Sequence, residues 1–533
     1  MKFDPMNYPY PSRRVVSVAN RGMVATSQAL AAQAGLEILK LGGNAVDAAV
    51  ATAAALTVVE PTSNGLGGDA FAIVAMGDEL YGLNSSGPAP RRLTAETVRA
   101  KGHSEMPSFG WFPVTVPGVV AGWIALWRAF GSLTLKELLR PAIAYAAEGY
   151  PLSPTLAAGW KAAFRVYSRQ GSEFAEWLRV FAPEGQPPEC GEIWKSPDHA
   201  RTLELIAETE GEAFYRGELA ERIHRYAEET DGFLRYEDLS SFEPEWVEPL
   251  SVRYHGFDVW ELPPNGQGLV ALIALGILDA WEFSSKEGVD TYHRQIEALK
   301  LAMTAGKAVI TERQRMPVEP EELLDPAYLA SLRGRIRDYA QEPEVVIPKD
   351  HGTVYLATAD RFGNMVSFIQ SNYMGFGSGL VVPGTGIALQ NRGAGFSLNP
   401  QDANYLEPGK RSYHTIIPGF LTRDGRPVGP FGVMGGFMQP QGHLQVVMNT
   451  VDFGLNPQAA LDAPRWQWLD DNSVELEETV PSHIKAALAR KGHKVTIPVS
   501  SAGFGRGQII WRDSRGVLMG GTEPRCDSAA AVW

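Results

Sequence analysis

Cysteine is scarce in this sequence, since only Cys190 and Cys526 occur among its 533 residues. A disulfide scaffold and a cysteine-based zinc cluster are therefore excluded, because both need several closely spaced cysteines. A single pairing between these two residues stays open at this stage.

Positive charge is also in short supply. The chain has 48 Lys and Arg residues against 61 Asp and Glu residues, which gives a formal net charge of -13. A phosphate backbone or an anionic membrane surface would on balance repel such a chain. We therefore expect neither a nucleic acid partner nor a membrane partner.

Long hydrophobic runs are missing as well. The most apolar stretch, Ala45–Val59, has 15 residues and contains Asp47, so it is too short and too polar to span a bilayer. The chain begins MKFDPMNYPYPSRRVVSVAN, with prolines, tyrosines and charges where a secretory signal needs an apolar core. We therefore expect a cytoplasmic protein.

The overall composition is that of a globular protein, with 44% hydrophobic and 20% charged residues. The chain is longer than an ordinary domain of about 150 residues. It can therefore form one large layered architecture, and burying a sizeable core is no difficulty.

The amino-terminal part predicts two helices followed by strands. Apolar residues recur at helical spacing from Thr26 to Leu41 and stop at Gly42-Gly43, which favours a helix end. Asn44 can cap a second helix directly afterwards. Residues 70–76 and 79–83 then form a candidate hairpin, and this order indicates a layered fold of helices and strands.

Helical patterns dominate residues 133–332. Their amphipathic segments cover residues 135–147, 199–209, 221–229 and 291–311. Residues 341–352 mix prolines, charges and glycine, which predicts an exposed connection. Beyond it we expect strand 353–358, a turn, strand 365–373, and further short strands with Gly/Pro turns as far as Gln445.

Several familiar motifs are absent. Neither Gly306-Lys307 nor Gly409-Lys410 is followed by the Ser or Thr of a Walker loop, and no GxSxG elbow occurs. The ten histidines include no HExxH motif, so a metal site has no local support, although none is excluded. The chemistry predicted below requires no metal or organic cofactor.

The junction Gly352-Thr353 is the place that can carry chemistry. Glycine leaves its carbonyl uncovered, so attack by the Thr353 hydroxyl followed by hydrolysis would make Thr353 a new N-terminus. The freed α-amine, with an unperturbed pKa of about 7.7 to 8.0, could then act as general base for that hydroxyl. Taken alone, a β-branched residue that begins a strand is the simpler interpretation.

A series of motifs along the chain favours self-cleavage at Thr353 over the simpler interpretation. In chain order they are Gly42-Gly-Asn-Ala-Val-Asp-Ala-Ala49, Glu60-Pro61 with Gly65-Leu-Gly-Gly68, Val116-Pro-Gly118, Leu262-Pro-Pro264, Asp360 to Asn364 after Thr353, Gly435-Gly436, Asp452-Phe-Gly-Leu-Asn456, Ala463-Pro-Arg465 and Glu523-Pro-Arg525. With them the chain resembles the γ-glutamyltranspeptidase family of N-terminal nucleophile hydrolases over essentially its whole length.

The resemblance implies an α+β fold, a four-layer αββα sandwich, and a proenzyme that cuts itself between Gly352 and Thr353. The products would be a large subunit, residues 1–352, and a small subunit, residues 353–533, which stay associated as one αββα domain. Whether they assemble into a further homo-oligomer is left open.

The resemblance also assigns roles near Thr353. Gly435 and Gly436 match a glycine pair whose backbone N–H groups form an oxyanion hole, although a plain turn is the alternative. Ser371 falls where the family has a second threonine that hydrogen-bonds the nucleophile. Its alternative is a polar residue on an exposed strand face.

This sequence departs from the family at the residues that bind the α-carboxylate and α-ammonium of a γ-glutamyl group. The family's arginine, asparagine, glutamine and acid fall on Ser86, Tyr373, Arg392 and Gly395, and its Ser-Ser pair becomes His414-Thr415. Losing the acid removes the partner of an ammonium, whereas Arg392 offers a bidentate partner for a carboxylate. We therefore expect an acyl donor that carries an anionic group and no nearby amine.

A small carboxylated amide of the oxamate type meets this demand, and the family includes an oxamate amidohydrolase. Its pocket would comprise Thr353, Tyr373, Arg392, His414-Thr415 and the glycine amides. The alternative for Arg392 is a surface salt bridge, and His414 could bind substrate or merely pack.

Three other functions remain in competition. A cephalosporin-type acylase that removes a glutaryl group meets the same electrostatic demand, and a pocket long enough for several methylenes would favour it. γ-Glutamyl transfer or glutathione hydrolysis ranks lower, because the amine-binding groups are missing. A relative that stays uncleaved and only binds a metabolite is the remaining alternative.

Overall fold

The computed structural model describes Tyr10, residues 14–343 and residues 352–533. Its strands are β1 Ser17–Ala19, β2 Gly22–Thr26, β3 Asp69–Met76, β4 Glu79–Ser85, β5 Tyr150–Pro151, β6 Ile193–Trp194, β7 Glu245–Val247, β8 Leu250–Tyr254, β9 Phe257–Glu261, β10 Val354–Asp360, β11 Met365–Ser371, β12 Val381–Val382, β13 Ile387–Ala388, β14 Gly419–Arg423, β15 Arg426–Met434, β16 Trp466–Trp468, β17 Ser473–Leu476, β18 Lys494–Thr496, β19 Arg506–Arg512, β20 Leu518–Thr522 and β21 Ala529–Val532.

The α-helices are α1 Ala29–Lys40, α2 Ala45–Val59, α3 Ala95–Ala100, α4 Val119–Phe130, α5 Leu135–Glu148, α6 Pro154–Tyr167, α7 Ala175–Phe181, α8 Pro197–Glu208, α9 Glu212–Arg216, α10 Glu218–Glu229, α11 Tyr236–Ser240, α12 Gly268–Leu278, α13 Val289–Val309, α14 Pro326–Arg333, α15 Met438–Val451, α16 Pro457–Asp462 and α17 Ser482–Arg490. Short 3-10 turns occur at Ser172–Phe174, Arg313–Arg315, Pro320–Leu324, Arg392–Gly395 and Ser501–Phe504.

Two seven-stranded antiparallel sheets form the centre of the molecule. One has the strand order β21-β2-β10-β11-β3-β4-β7, and the other has the order β1-β20-β19-β15-β14-β9-β8. The sheets pack closely, since a Cβ placed on Gly432 of β15 would come within 2.5 Å of the Tyr355 ring on β10. Glycine at this position therefore permits close approach of the two sheets.

The hydrophobic core has three layers, which make the predicted αββα sandwich. Between the sheets lie Phe71, Tyr355, Ile369, Phe420 and Ile510. A second layer joins the first sheet to α2, α4, α5 and α8. A third layer joins the second sheet to α12, α13 and α15, so each sheet buries both of its faces.

The two amino-terminal helices form largely as the sequence predicts. Gly42 takes a φ of 101° after α1, and the Asn44 side chain accepts hydrogen bonds from the backbone N–H groups of Val46 and Asp47 at the start of α2. The first helix begins at Ala29, not at Thr26, because Thr26 lies in β2 and pairs with Leu356. The predicted hairpin is present as β3 and β4.

The stretch from 133 to 332 is mostly helical, as expected, with α5, α8, α10 and α13 on its predicted amphipathic segments, and it also contains the short strands β5 to β9. In β9, buried Phe257, Val259 and Glu261 alternate with partly exposed residues, the period of two that marks a strand. Strands expected to continue to Gln445 give way at Met438 to helix α15. That helix is buried on nearly all sides, so it lacks a one-sided apolar stripe.

Three further expectations concern the connection, the cysteines and the membrane. Residues 344–351, most of the predicted exposed connection, lie outside the described residues, and the division into two subunits stays a prediction. Cys190 is exposed and Cys526 is buried, and neither forms a disulfide. Within the described ranges, no helix combines the length and the apolar character needed to cross a bilayer.

We predict that Asn44→Ala lowers the free energy of unfolding by about 1 kcal/mol, because the first turn of the buried helix α2 loses its cap. Urea unfolding followed by circular dichroism measures this change. Asn44→Ser is the matched control, since it keeps a capping oxygen and should recover most of the loss. Equal losses in both variants would contradict a capping role.

Candidate active site

Thr353 lies immediately before β10, a central strand of the first sheet, and only 1% of it is exposed. The antiparallel register pairs Val354 with Gln370, which sets Thr353 opposite Ser371 at the end of β11. The Thr353 hydroxyl donates a hydrogen bond to Ser371 Oγ over 3.1 Å. Ser371 is fully buried, so its interpretation as an exposed strand residue was wrong.

The Ser371 hydroxyl also contacts the peptide group that precedes Thr353. Its O–H donates to the Gly352 carbonyl oxygen over 2.5 Å, and its oxygen accepts from the Tyr373 backbone N–H over 2.8 Å. Carbonyl polarisation by such a donor favours nucleophilic attack at carbon. Gly352 is required here, because a Cβ would lie 2.7 Å from the Tyr373 carbonyl oxygen and closer still to the Gly375 nitrogen.

Gly435 and Gly436 form the turn between β15 and α15. Their φ angles, 142° and 57°, lie in the region that favours glycine. The turn precedes the N-terminus of a 14-residue helix, where the helix dipole favours negative charge. Their position is therefore compatible with stabilising an oxyanion.

An open cavity of about 350 Å³ exposes Gly352 and Gly435 on its wall. Most of its remaining lining is apolar, and includes Phe109, Val166, Tyr167, Met374 and Met434. Arg506 also lines the cavity, but its guanidinium lies 3.3 Å from the Glu60 carboxylate. The cavity can therefore receive a largely apolar group beside Thr353.

Arg392 lies deep in the protein, with 1% of it exposed, so its interpretation as a surface salt-bridge residue was wrong. Its Nη1 donates to Thr415 Oγ1 over 2.8 Å, and its guanidinium lies 4.1 Å from the centre of the Tyr373 ring. Nε and Nη2 have no hydrogen-bond partner among the described residues. Burial lowers the pKa of Arg392 to about 10, so the group stays charged near neutral pH.

Tyr373 connects Arg392 to Thr353. Its backbone N–H is bonded to Ser371, its ring contacts Arg392, and its φ of 77° is unusual for a residue with a side chain. Such backbone conformations persist only where the surroundings impose them, and they concentrate at functional sites.

His414 contacts a residue that the sequence analysis did not identify. Its Nε2 lies 3.1 Å from Asp69 Oδ2, and its Nδ1 accepts from the Ile416 backbone N–H, so Nε2 carries the proton and donates to Asp69. Both side chains are fully buried. The only sequence signal for Asp69 was an acid at the start of an apolar strand.

The carboxyl group of Asp69 is held in place by several hydrogen bonds. Its Oδ1 accepts hydrogen bonds from Gln390 Nε2 over 2.8 Å and from the Gly87 backbone N–H over 3.0 Å. Burial raises the pKa of Asp69 to about 7, although the Gln390 hydrogen bond and the charge of Arg392 both act to lower it. Burial also holds the pKa of His414 well below its usual value.

Gln267 is a second residue that the sequence analysis missed. Its Nε2 donates to the backbone oxygens of Thr415, over 2.7 Å, and of Gly436, over 2.9 Å, and its Oε1 accepts from the Tyr413 hydroxyl. It therefore fixes the segment that holds Arg392 relative to the glycine turn. Together these contacts bring all the predicted site residues into one region.

Known proteins resemble this chain over most of its length. The sequence profile described as Gamma-glutamyltranspeptidase matches residues 31–533. The chain is 35% identical to the glutathione hydrolase-like YwrD proenzyme of Bacillus subtilis, over 96% of this chain and 98% of that protein. It is 34% identical to the oxamate amidohydrolase proenzyme of Klebsiella pneumoniae, over 97% of this chain and 99% of that protein.

A solved structure resembles the whole fold. The crystal structure of a cephalosporin acylase from Bacillus halodurans superposes with a TM-score of 0.96 and 59% sequence identity. The match covers 100% of this chain and 99% of that one.

Proposed function

The chain belongs to the γ-glutamyltranspeptidase family, and from that premise we propose that it is a self-processing amide hydrolase with Thr353 as nucleophile and a carboxylate on its acyl donor. The observation that carries the donor proposal is the buried Arg392, whose Nε and Nη2 have no partner among the described residues. A buried cation with free donors is costly unless a ligand completes its hydrogen bonds, and a carboxylate does so with two oxygens.

Maturation uses the contacts around Ser371. Thr353 Oγ forms a bond to the Gly352 carbonyl carbon, which the Ser371 hydroxyl polarises. The peptide C–N bond then breaks, and the nitrogen leaves as an amine after taking up the proton that the Thr353 hydroxyl released. Water hydrolyses the resulting ester, which releases the Gly352 carboxylate and returns the Thr353 hydroxyl.

Turnover uses the same hydroxyl with its own freed amine as base. The α-amine accepts the hydroxyl proton while Thr353 Oγ bonds to the acyl carbon of the donor. The N–H groups of Gly435 and Gly436 stabilise the oxyanion, and the leaving amine takes the proton as the donor's C–N bond breaks. Water then hydrolyses the acyl-enzyme.

Arg392 selects the acyl part of the donor. Tyr373 covers one face of its guanidinium and Thr415 holds one edge, so a carboxylate can meet the two remaining N–H donors in the guanidinium plane. An oxamate-type amide, which carries its carboxylate directly on the acyl carbon, is the first candidate.

A glutaryl-type amide with a large amine portion is the second candidate. The apolar cavity of about 350 Å³ beside Gly352 and Gly435 favours it, because ammonia leaving from oxamate would use little of that space. The resemblance to the cephalosporin acylase structure supports the same candidate.

Thr353→Ala is expected to abolish both scission and turnover, because the attacking oxygen is lost. On a denaturing gel the unaltered protein should give two bands, and terminal sequencing should find a new chain that begins at Thr353. The variant should give one full-length band. Normal processing of the variant would contradict the assignment, and a single uncleaved band from the unaltered protein would favour a metabolite-binding function.

Arg392→Met is expected to raise KM for carboxylated donors about 10- to 100-fold, because charge-assisted hydrogen bonds to the donor are lost. Ammonia release from oxamate and amine release from a glutaryl anilide and a γ-glutamyl anilide provide the measurements. The γ-glutamyl anilide should be the poorest donor for the unaltered protein.

Arg392→Lys is the matched control, since it keeps the charge but not the planar pair of donors. Its KM should lie between that of the unaltered protein and that of Arg392→Met. An unchanged KM in Arg392→Met would remove Arg392 from the donor site. Preference for the γ-glutamyl anilide would overturn the donor class.

We expect KM for a carboxylated donor to rise as pH increases through about 7, the pKa of Asp69. Below this pH Asp69 is neutral and leaves Arg392 unopposed, whereas its ionised form partly cancels the charge that attracts the donor. KM should be measured separately from kcat between about pH 5.5 and 8.5, since the Thr353 amine titrates in kcat.

Asp69→Asn should flatten this KM profile, because residue 69 no longer ionises. Asp513→Asn, on the surface turn before β20, is the matched control and should leave the profile unchanged. The same rise in Asp69→Asn as in the unaltered protein would assign the titration to another group.

A further inference from the structure

A buried cluster in the outer helical layer has no part in the chemistry described above. His293 and Glu297 lie four residues apart on α13, so they face the same side of that helix, and His493 lies just before β18. One ligand atom from each of the three residues falls within 4.8 Å of the others. We propose that these three residues form a zinc-binding site.

The two histidines are arranged as ligands usually are. His293 Nε2 donates to the Arg337 backbone oxygen over 2.7 Å, which leaves the lone pair on Nδ1, and that atom lies 2.9 Å from His493 Nε2. A hydrogen bond from the far nitrogen to a backbone carbonyl is the common outer contact of a metal-bound histidine, because it fixes the ring and its tautomer.

His493 offers a nitrogen that no described protein atom uses. Its Nδ1 is buried and has no hydrogen-bond partner among the described residues. Only 3% of His493 is exposed, so bulk water does not readily compensate for this. A metal ion that replaces the His293–His493 hydrogen bond would take His293 Nδ1 and one nitrogen of His493 as its ligands.

Glu297 supplies the third ligand, and its carboxylate also contacts the ammonium of Lys300. Lys300 Nζ lies 2.8 Å from Glu297 Oε1, but it also donates to Asn472 Oδ1 over 2.7 Å and to the Gln341 backbone oxygen over 3.2 Å. The ammonium therefore keeps two oxygen partners if Glu297 turns to a metal ion.

The ligand set selects the ion. Two imidazoles and one carboxylate suit zinc, which takes nitrogen and oxygen ligands in a tetrahedral arrangement, with water completing the fourth position. Magnesium and calcium prefer oxygen ligands alone, so the two imidazoles disfavour both ions.

The position of the site indicates its purpose. His293 and Glu297 precede the predicted cleavage point and His493 follows it. Glu297 Oε2 also accepts from the backbone N–H of Gln341, close to the last residue described before the junction. Zinc would thus link the two pieces of the processed protein, a consequence that rests on the proposed cleavage, although zinc binding itself does not.

The test uses the full-length purified protein, stripped with EDTA, mixed with Zn²⁺ and freed of unbound metal by gel filtration. We expect about one zinc ion per chain by mass spectrometry and a melting temperature several degrees above that in EDTA. Retention of less than about one-tenth of an ion per chain, with no change in melting temperature, would overturn the proposal.

His493→Asn and Glu297→Gln should lose the bound zinc and the thermal shift, whereas His483→Asn, on an exposed position of α17, should retain both. Equal zinc in all variants would assign the metal to another site. If the buried variants fail to fold, the visible spectrum of the Co²⁺-loaded unaltered protein decides, since it distinguishes tetrahedral coordination by nitrogen and oxygen from loosely held ions. Thr353→Ala should bind zinc normally, which separates this proposal from that of the catalytic function.

Discussion

The hydroxyl of Ser371 contacts both groups that react in the proposed self-cleavage at Thr353. It accepts from the Thr353 hydroxyl and donates to the Gly352 carbonyl, so one side chain contacts both the oxygen that would attack and the carbonyl that would be attacked. This arrangement depends on strand register, because a slip of one residue would turn Ser371 to the opposite face of the sheet.

The register is fixed at the other end of the β10–β11 hairpin. Asp360 accepts hydrogen bonds there from the backbone N–H groups of Phe362 and Asn364 within the turn, and from that of Ala45 at the start of α2. The turn is thereby tied to a helix that is itself capped by Asn44. Six residues of β10 separate this anchor from Thr353, and paired β-strands transmit its position with little freedom.

Sequence patterns could predict the parts of the fold that are held by local interactions. The cap at Asn44, the hairpin of β3 and β4, and the turn between β10 and β11 depend on residues a few positions apart. Helix α15 could not be predicted in this way, because a helix buried on all sides has no amphipathic stripe. The strands β7 to β9 were not predicted, because helical patterns dominate the sequence on either side of them.

The residues of the site also differ in whether the sequence could identify them. The family resemblance identified Thr353, Ser371 and Arg392, since each aligns with a position that has a role in the family. Asp69 and Gln267 were missed because they act through partners distant in sequence: Asp69 and His414 are 345 residues apart. No local pattern marks such a contact, and only the packing of β3 against the segment around His414 creates it.

The carboxyl oxygens of Asp69 already accept hydrogen bonds, which is why, under the proposed function, this acid would not bind the ammonium of a γ-glutamyl group. One of its oxygens accepts from Gln390 and Gly87, and the other accepts from His414. An α-ammonium would have to displace one of these donors to gain the carboxylate, and would lose its own hydration in a buried pocket. The proposed donor, with only a carboxylate, would avoid both costs, because it needs nothing from Asp69 and can accept from Nε and Nη2 of Arg392, which have no partner within the described part of the chain. Under the proposed function, discrimination between donors would therefore come from which buried groups already have hydrogen-bond partners, and not from the number of charges in the pocket.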